Sequence, residues 1–253
     1  MKPIIRFIYA FMFLAAVMGA ASCSMESETP LNYSIGVYTL ERASDSRLYF
    51  RADDDTTTFV STQTLTIPDS LLNTRFYLEF LMSTEKIEGY TYVVEISYLQ
   101  SVATKTVVNI STQSESDSLG NDMLDLPMIW VSGKYLNVFY SYYTSGNVTH
   151  SFSLAQNLYE PTTSPDSIVP LEFRHNDFDD VNPSQYFTNV MSFDLSDLAL
   201  NRTADFYINI KYHSNTGSYL ITSNLKVDVD ALNDEQPVYI TRPKTRLSLW
   251  THE

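Results

Sequence analysis

One cysteine, Cys23, serves a chain of 253 residues, so no disulfide forms within it. Glycine is also scarce, at 7 residues, and neither a G-x-S-x-G elbow nor a phosphate-cradling glycine loop occurs. The 4 histidines are scattered without paired spacing, which argues against a zinc centre. Positive charge is short too: 16 Lys+Arg stand against 30 Asp+Glu, and no basic cluster exists to neutralise phosphates. Nucleic acid is therefore excluded as a partner. Long apolar stripes at helical period are missing, and a helical bundle with them.

What is present begins with export. Lys2 and Arg6 precede an uncharged run from Phe7 to Ala21, the charged and apolar regions of a secretory signal, too short for a permanent membrane span. Ala20-Ala21-Ser22-Cys23 resembles a bacterial lipobox, with Ala20 where leucine is commoner. A thiolate is the nucleophile that accepts a diacylglycerol group, which gives the lone cysteine a purpose. Two or three acyl chains, at roughly 0.8 kcal/mol per buried CH2, then hold a protein on a bilayer. Residues 1–22 are thus expected to be a lipoprotein signal peptide and 23–32 a lipidated acidic tether. Ser24-Met25-Glu26-Ser27-Glu28 resembles the acidic tract that sends Bacteroidetes lipoproteins to the cell surface, although a charge run also serves as a plain solvated tether. Removing the signal leaves 14 Lys+Arg against 30 Asp+Glu, a net charge of −16, which repels the body from anionic membrane surfaces.

The body is rich in Tyr (18) and Phe (14) and alternates with period two, as in "YTYVVEISYL". Strands are expected at Ile35 to Leu40, Arg47 to Arg51, Ser61 to Ile67, Phe76 to Met82, Tyr90 to Leu99 and Thr104 to Ile110. The Ser- and acid-rich segment "STQSESDSLGND" reads as a linker or long loop. Beyond it, "KYLNVFYSYYTSGNVTHSFSL" reads as a hairpin turning at Ser145-Gly146-Asn147. Further strands are expected at Leu171 to His175, Val190 to Leu195, Phe206 to Tyr212, Tyr219 to Ser223, Leu225 to Val229, Val238 to Thr241 and Leu247 to Trp250, with a helical turn in "DLSDLAL" at 194–200. The expectation is an all-β protein with domains at 33–112 and 123–253 joined by a linker at 113–122. The first is a short-stranded barrel or meander, the second an antiparallel sandwich.

"TRFYLEFLM", "GYTYVVEISYLQSVATK", "IWVSGKYLNVFYSYY", "THSFSL", "LEFRHN" and "VMSFDLSDL", in this order behind a lipobox, resemble the NigD-like lipoproteins of Bacteroidetes. The resemblance implies an N-terminal OB-like β-barrel followed by a C-terminal β-sandwich on a lipid-anchored chain at the outer membrane. The family takes its name from a protein associated with bacteriocin production and brings no catalytic residues.

Candidate chemistry is sparse. "FRHNDFDD" sets Asp177, Asp179 and Asp180 at a strand end as candidate calcium ligands, but the spacing departs from the calcium loop at Val181 and at Thr188. A polar turn braced by Arg174 and His175 accounts for the same residues. His150 falls on the apolar face of its strand and reads as a hydrogen-bonded core histidine. Trp130, Phe139 and Tyr143 are candidate binding residues in an aromatic run, about half of which alternation assigns to the core. Asp69-Ser70-Leu71, Asp117-Ser118-Leu119 and Asp166-Ser167-Ile168 resemble a Bacteroidetes O-glycosylation signal, making Ser70, Ser118 and Ser167 candidate acceptors. No metal and no cofactor beyond the lipid on Cys23 is expected. The functional expectation is a non-enzymatic, surface-exposed outer-membrane lipoprotein that binds an envelope protein or a glycan. The alternatives are an accessory factor in bacteriocin production or immunity, and a glycan-acting hydrolase with an unrecognised carboxylate pair.

Overall fold

Strand β1, Tyr33–Arg42, buries both of its faces. Tyr38 and Leu40 point into one apolar cluster and Val37 into another, because successive side chains of a strand leave opposite sides. The computed structural model describes residues 33–161, 163–200 and 202–229. The signal segment, the tether and the strands expected at Val238–Thr241 and Leu247–Trp250 lie outside the described residues.

Strands β2 (Leu48–Arg51), β3 (Thr58–Ser61), β4 (Arg75–Met82) and β5 (Tyr92–Thr106) follow. β1 pairs with β2 and β4, β2 with β3, and β4 with β5, all antiparallel. β3 also pairs in parallel with β5, so hydrogen bonding runs unbroken around β1-β2-β3-β5-β4-β1. Tyr38, Leu40, Phe50, Phe59, Phe76, Leu78 and Phe80 fill the inside of this ring, with Phe59 wedged between Tyr38 and Phe80 at ring centroids of 4.8 and 5.4 Å. Ser61 to Ile67, expected as a strand, is a strand only up to Ser61; β3 lies earlier, and Pro68 closes the stretch.

After β6 (Val108–Ile110) the expected linker contains a helix, α1 (Gln113–Ser118). Thr112 Oγ1 accepts from the Glu115 N–H at 3.2 Å and the Glu115 carboxylate accepts from the Thr112 N–H at 3.1 Å. This reciprocal cap was written in the sequence as Thr112-Gln113-Ser114-Glu115.

β7 (Asp125–Ser132), β8 (Tyr135–Thr144) and β11 (Gln185–Asp194) extend the first sheet to eight strands, in the order β3-β2-β1-β4-β5-β11-β8-β7. β9 (Ser151–Asn157), β10 (Ile168–Asn176), β12 (Phe206–His213) and β13 (Tyr219–Ile221) form a second sheet with β6, while β14 (Leu225–Val227) also pairs with β12. A one-turn helix, α2 (Ser196–Ala199), sits where "DLSDLAL" was expected to turn. Between the sheets lie Leu136, Val138 and Tyr140 of β8, Phe152 and Leu154 of β9, Leu171 and Phe173 of β10, Phe193 of β11 and Ile208 and Ile210 of β12.

The expected hairpin between β8 and β9 is not formed. β8 pairs with β7 and β11, and β9 with β10 and β6. The apolar faces of β8 and β9 pack against each other across the sandwich, and the turn at 145–147 carries the chain between sheets. The hairpin that does form is β7–β8, turning at Gly133-Lys134. Gly133 has φ 51°, and a Cβ there would stand 2.6 Å from the Asp53 carbonyl oxygen. The sandwich is antiparallel through β7, β8 and β11 and between β9 and β10, but parallel at β5–β11, β6–β9 and β10–β12.

Candidate functional site: a tyrosine-lined trough

The eight-stranded sheet bends back on itself. β4 and β8 are separated by β5 and β11, which in a flat sheet would hold them about 14 Å apart. Instead the rings of Tyr77 on β4 and Phe139 on β8 meet edge to face at 5.1 Å. The face opposite to both the ring interior and the sandwich core thereby becomes the inner wall of a trough.

Its floor is a buried polar network. Arg75 reaches both carboxylate oxygens of Asp53, with Nη2 to Oδ2 at 2.9 Å, and donates to Asn137 Oδ1 at 3.1 Å and Ser192 Oγ at 3.0 Å. Ser192 donates to Asn137 Oδ1 at 2.7 Å, Asn137 Nδ2 donates to Ser132 Oγ at 2.9 Å, and Ser132 donates to Asp53. The Tyr135 ring covers the guanidinium at 3.8 Å. Asp53 and Arg75 belong to the ring, whereas Ser132, Asn137 and Ser192 belong to the sandwich sheet. The network therefore clamps the two together with each buried polar atom satisfied.

Burial is greatest at the floor and least at the mouth. On β4 the inward series is Arg75, Tyr77, Glu79; on β8 it is Asn137, Phe139, Ser141, Tyr143; on β11 it is Ser192, Val190, Thr188, Tyr186; on β5 it is Val102, Gln100, Tyr98. Each series begins buried, and those of β5, β8 and β11 end in a half-exposed tyrosine. The middle layer is apolar, with Val37, Tyr77, Val102 and Val190 against Ile35, Trp130 and Phe139. The mouth is tied by hydrogen bonds: Tyr33 and Tyr77 both donate to Glu79, Tyr98 donates to Gln100 at 2.9 Å, and Gln100 donates to Asn189 at 2.8 Å. Burial and then the bond to Glu79 push the Tyr33 and Tyr77 hydroxyls above the usual tyrosine range, so both remain donors at neutral pH. Aromatic faces beside fixed amide and hydroxyl groups suit the edges and faces of an extended polar ligand.

Of the candidate binding residues, Trp130 and Phe139 stack at 5.9 Å in the middle layer and Tyr143 stands at the rim beside Tyr186 at 4.9 Å. Sequence reading missed Tyr33, Tyr98 and Tyr186, and missed β7, which holds Trp130. Pro127 and a register shift between Asp125 and Met128 interrupt the alternation of that edge strand.

The candidate calcium ligands do not converge. Asp180 turns inward, accepting from Ser145 N at 2.6 Å, from the Ser145 hydroxyl and from Thr144 Oγ1 at 3.0 Å. Its Oδ2 lies 3.0 Å from His150 Nε2. His150 Nδ1 is 2.9 Å from His175 Nε2, and His175 Nδ1 is 3.0 Å from the Met123 carbonyl. The carbonyl only accepts, so His175 donates to it from Nδ1 and, neutral, accepts from His150 at Nε2. Burial lowers the His175 pKa to about 4, while hydrogen bonds from Ser145 hold the Asp180 carboxyl well below the usual range. Asp177 and Asp179 cap the turn outside, with Asp177 Oδ1 accepting from the Asp179 N–H at 2.9 Å. Among the described residues no group of three His, Cys, Asp or Glu is placed to hold a metal ion. Ser70, Ser118 and Ser167 are all solvent-exposed, on a 3-10 turn, at the end of α1 and before β10 respectively.

A second concavity of about 530 Å³ lies on the ring between Arg42, Arg47, Ser61 to Ile67 and Ile87. Its arginines are already paired, Arg42 with Asp69 and Arg47 with Asp45.

Fold and site thus define an all-β protein in which a closed strand ring and a two-sheet sandwich share one bent sheet around an aromatic trough. Residues 106–225 match the family model of the NigD-like C-terminal beta sandwich domain, so over that domain the chain resembles NigD-like proteins. Solved structures share the fold. A protein of unknown function from Bacteroides vulgatus is 19% identical, with TM-score 0.63 over 75% of this chain and 89% of its own. A NigD-like immunity protein from Bacteroides caccae is 19% identical, with TM-score 0.56 over 77% of this chain and 96% of its own. A protein described as a lipoprotein from Bacteroides fragilis is 14% identical, with TM-score 0.52 over 78% and 98%. No curated protein matches the sequence. Among the described residues no helix is long and apolar enough to cross a membrane.

Proposed function

We propose that this chain is a non-enzymatic binding protein of the cell envelope, tethered by lipid on Cys23, that holds an extended glycan or protein segment in the tyrosine-lined trough. The carrying observation is the burial gradient, which ends in half-exposed tyrosines at the mouth of a rigid, fully bonded floor. Stacking surfaces fixed in advance lose little entropy on binding. Tyr98→Ala with Tyr143→Ala is expected to abolish retention on a glycan array or an envelope-protein pull-down while leaving the circular dichroism spectrum unchanged. Retention equal to wild type would remove the trough from consideration.

The membrane reading rests on the lipobox and on the lipoprotein description of the Bacteroides fragilis relative. Ser24 to Glu28 supply the acidic tract for surface export. We propose O-glycosylation at Ser70, Ser118 and Ser167, a reading supported by the solvent exposure of all three residues. Intact-mass measurement tests both modifications: Cys23→Ser is expected to lose the acyl mass and partition into the soluble fraction, and Ser118→Ala to lose one glycan mass. An unaltered mass in either variant refutes the corresponding assignment.

A second reading, an accessory factor in resisting or producing a peptide toxin, is favoured by the name of the Bacteroides caccae immunity protein. Deletion would then sensitise the cell to the toxin, and a toxin gene would lie nearby.

A further inference from the structure

The end of the sandwich away from the floor network carries a second surface, which borders the mouth of the trough at Tyr143 and Tyr186. The loop from Asp177 to Ser184 joins β10 to β11 and projects Phe178, 54% exposed, and Val181, 73% exposed. Met123, whose carbonyl accepts from His175, and Phe187, whose ring lies 6.5 Å from that of Tyr142, are each about half-exposed at the same end. Apolar side chains this open are ordinary when isolated, but a contiguous group marks a contact surface.

The loop is held in a fixed shape. Phe178, Asp179 and Asn182 have φ of 52°, 58° and 58°, and the buried bonds from Asp180 to Ser145, Thr144 and His150 hold the backbone between them. Ser184 N donates to the Thr144 carbonyl at 3.2 Å, closing the loop onto β8. Asp122 N donates to the His175 carbonyl at 2.8 Å and Asp177 N donates to Asp122 Oδ2 at 2.9 Å, which brings Met123 and its acidic neighbour beside the tip.

The rim has one sign of charge. Asp122, Asp177 and Asp179 surround the tip, and the segments that build this end, residues 119–125, 141–151 and 176–188, contain no Lys or Arg. Asp122 and Asp177 stand against each other, and burial, followed by repulsion from Asp122, raises the Asp177 pKa. An apolar centre in an acidic rim is complementary to an apolar face edged with cations. Anionic bilayers are repelled by the same rim, and a neutral glycan would leave the carboxylate pair uncompensated.

We propose that this loop end docks a cationic amphipathic peptide segment, its apolar side chains on Phe178 and Val181 and its Lys or Arg on Asp122, Asp177 and Asp179.

The test uses the purified full chain and three synthetic peptides of about 18 residues, the shortest lengths giving a marginally stable amphipathic helix. One is a Lys/Leu/Trp amphipath, one replaces Leu and Trp by Ser, and one replaces Lys by Glu. Titration calorimetry is expected to show binding of the first that weakens with salt, drops at least 10-fold in Phe178→Ser/Val181→Ser, and drops several-fold in Asp177→Asn/Asp179→Asn. The Ser-substituted peptide is expected to bind weakly and equally to wild type and to the Phe178→Ser/Val181→Ser variant, since only charge remains. No binding of the amphipath, binding indifferent to Phe178 and Val181, or equal binding of the Glu peptide overturns the proposal. Tyr98→Ala, on β5 and outside the segments that build this end, reports on the trough, so the two surfaces fail or stand separately.

Discussion

Arg75→Ala is expected to lower the free energy of unfolding by about 3–5 kcal/mol, because it strands one half of a buried ion pair. Asp53 would keep only the Ser132 hydroxyl as a partner, with its side chain only 7% exposed to water. Asn137 Oδ1 and Ser192 Oγ would each lose a donor as well. Arg75→Met with Asp53→Leu is expected to cost less than either single alanine change, since no charge is left behind. A urea-denaturation cycle over the two positions measures the difference. Because this network joins ring to sandwich, the Arg75→Ala transition should also broaden and lose coincidence between tyrosine fluorescence and far-ultraviolet dichroism. A sharp two-state transition within 1 kcal/mol of wild type, about the typical cost of any point substitution, would show that the seam is held by apolar contacts alone.

Acid should weaken the fold through His175. The side chain is 2% exposed, and its burial lowers the pKa to about 4. In the unfolded chain a histidine titrates near 6.5, so between about pH 6.5 and 4 the unfolded state takes up a proton that the native state refuses. Stability is complete above this window and declines as pH falls through it, by about 3 kcal/mol in total at roughly 1.4 kcal/mol per unit. Asp180 acts lower down: its carboxyl is depressed in the native state, so its contribution is present above the usual aspartate range and is lost as pH falls below it. In His175→Gln, the slope of unfolding free energy against pH between 6.5 and 4 is expected to flatten by about one proton relative to wild type. Equal slopes in the two proteins would mean that His175 is protonated in the native chain near neutrality.

Much of the strand content was legible because it follows from alternation. β1, β4, β8, β10 and β12 match their expected positions to within a few residues, since each buries one regular series of apolar side chains. Pairing was harder to read. Alternation puts Leu136, Val138 and Tyr140 on one face of β8 and Phe152 and Leu154 on one face of β9, but a period of two does not say whether two such faces lie side by side or face to face. Here the inner volume of the sandwich takes both. Ser61 to Ile67 shows the converse failure, a β-rich composition with no partner strand past Ser61. The sites were less legible. His150 was read as a hydrogen-bonded core histidine, which it is, yet its partners lie 25 and 30 positions away and no local spacing announces them. The trough has the same character: the strands of Tyr98 and Tyr186 become neighbours only because β5 and β11 join, and nothing in either strand signals that join.

That join has a bearing on how the chain reaches its native state. All pairings of the ring lie within Tyr33–Thr106, whereas β5 meets β11 through Met191↔Ala103 to Asp194↔Thr106, partners about 90 positions apart. Closing so long a loop is costly until the intervening strands have collapsed. The ring is therefore expected to close before the seam with its Arg75 lock, in line with the shorter separations of its pairings.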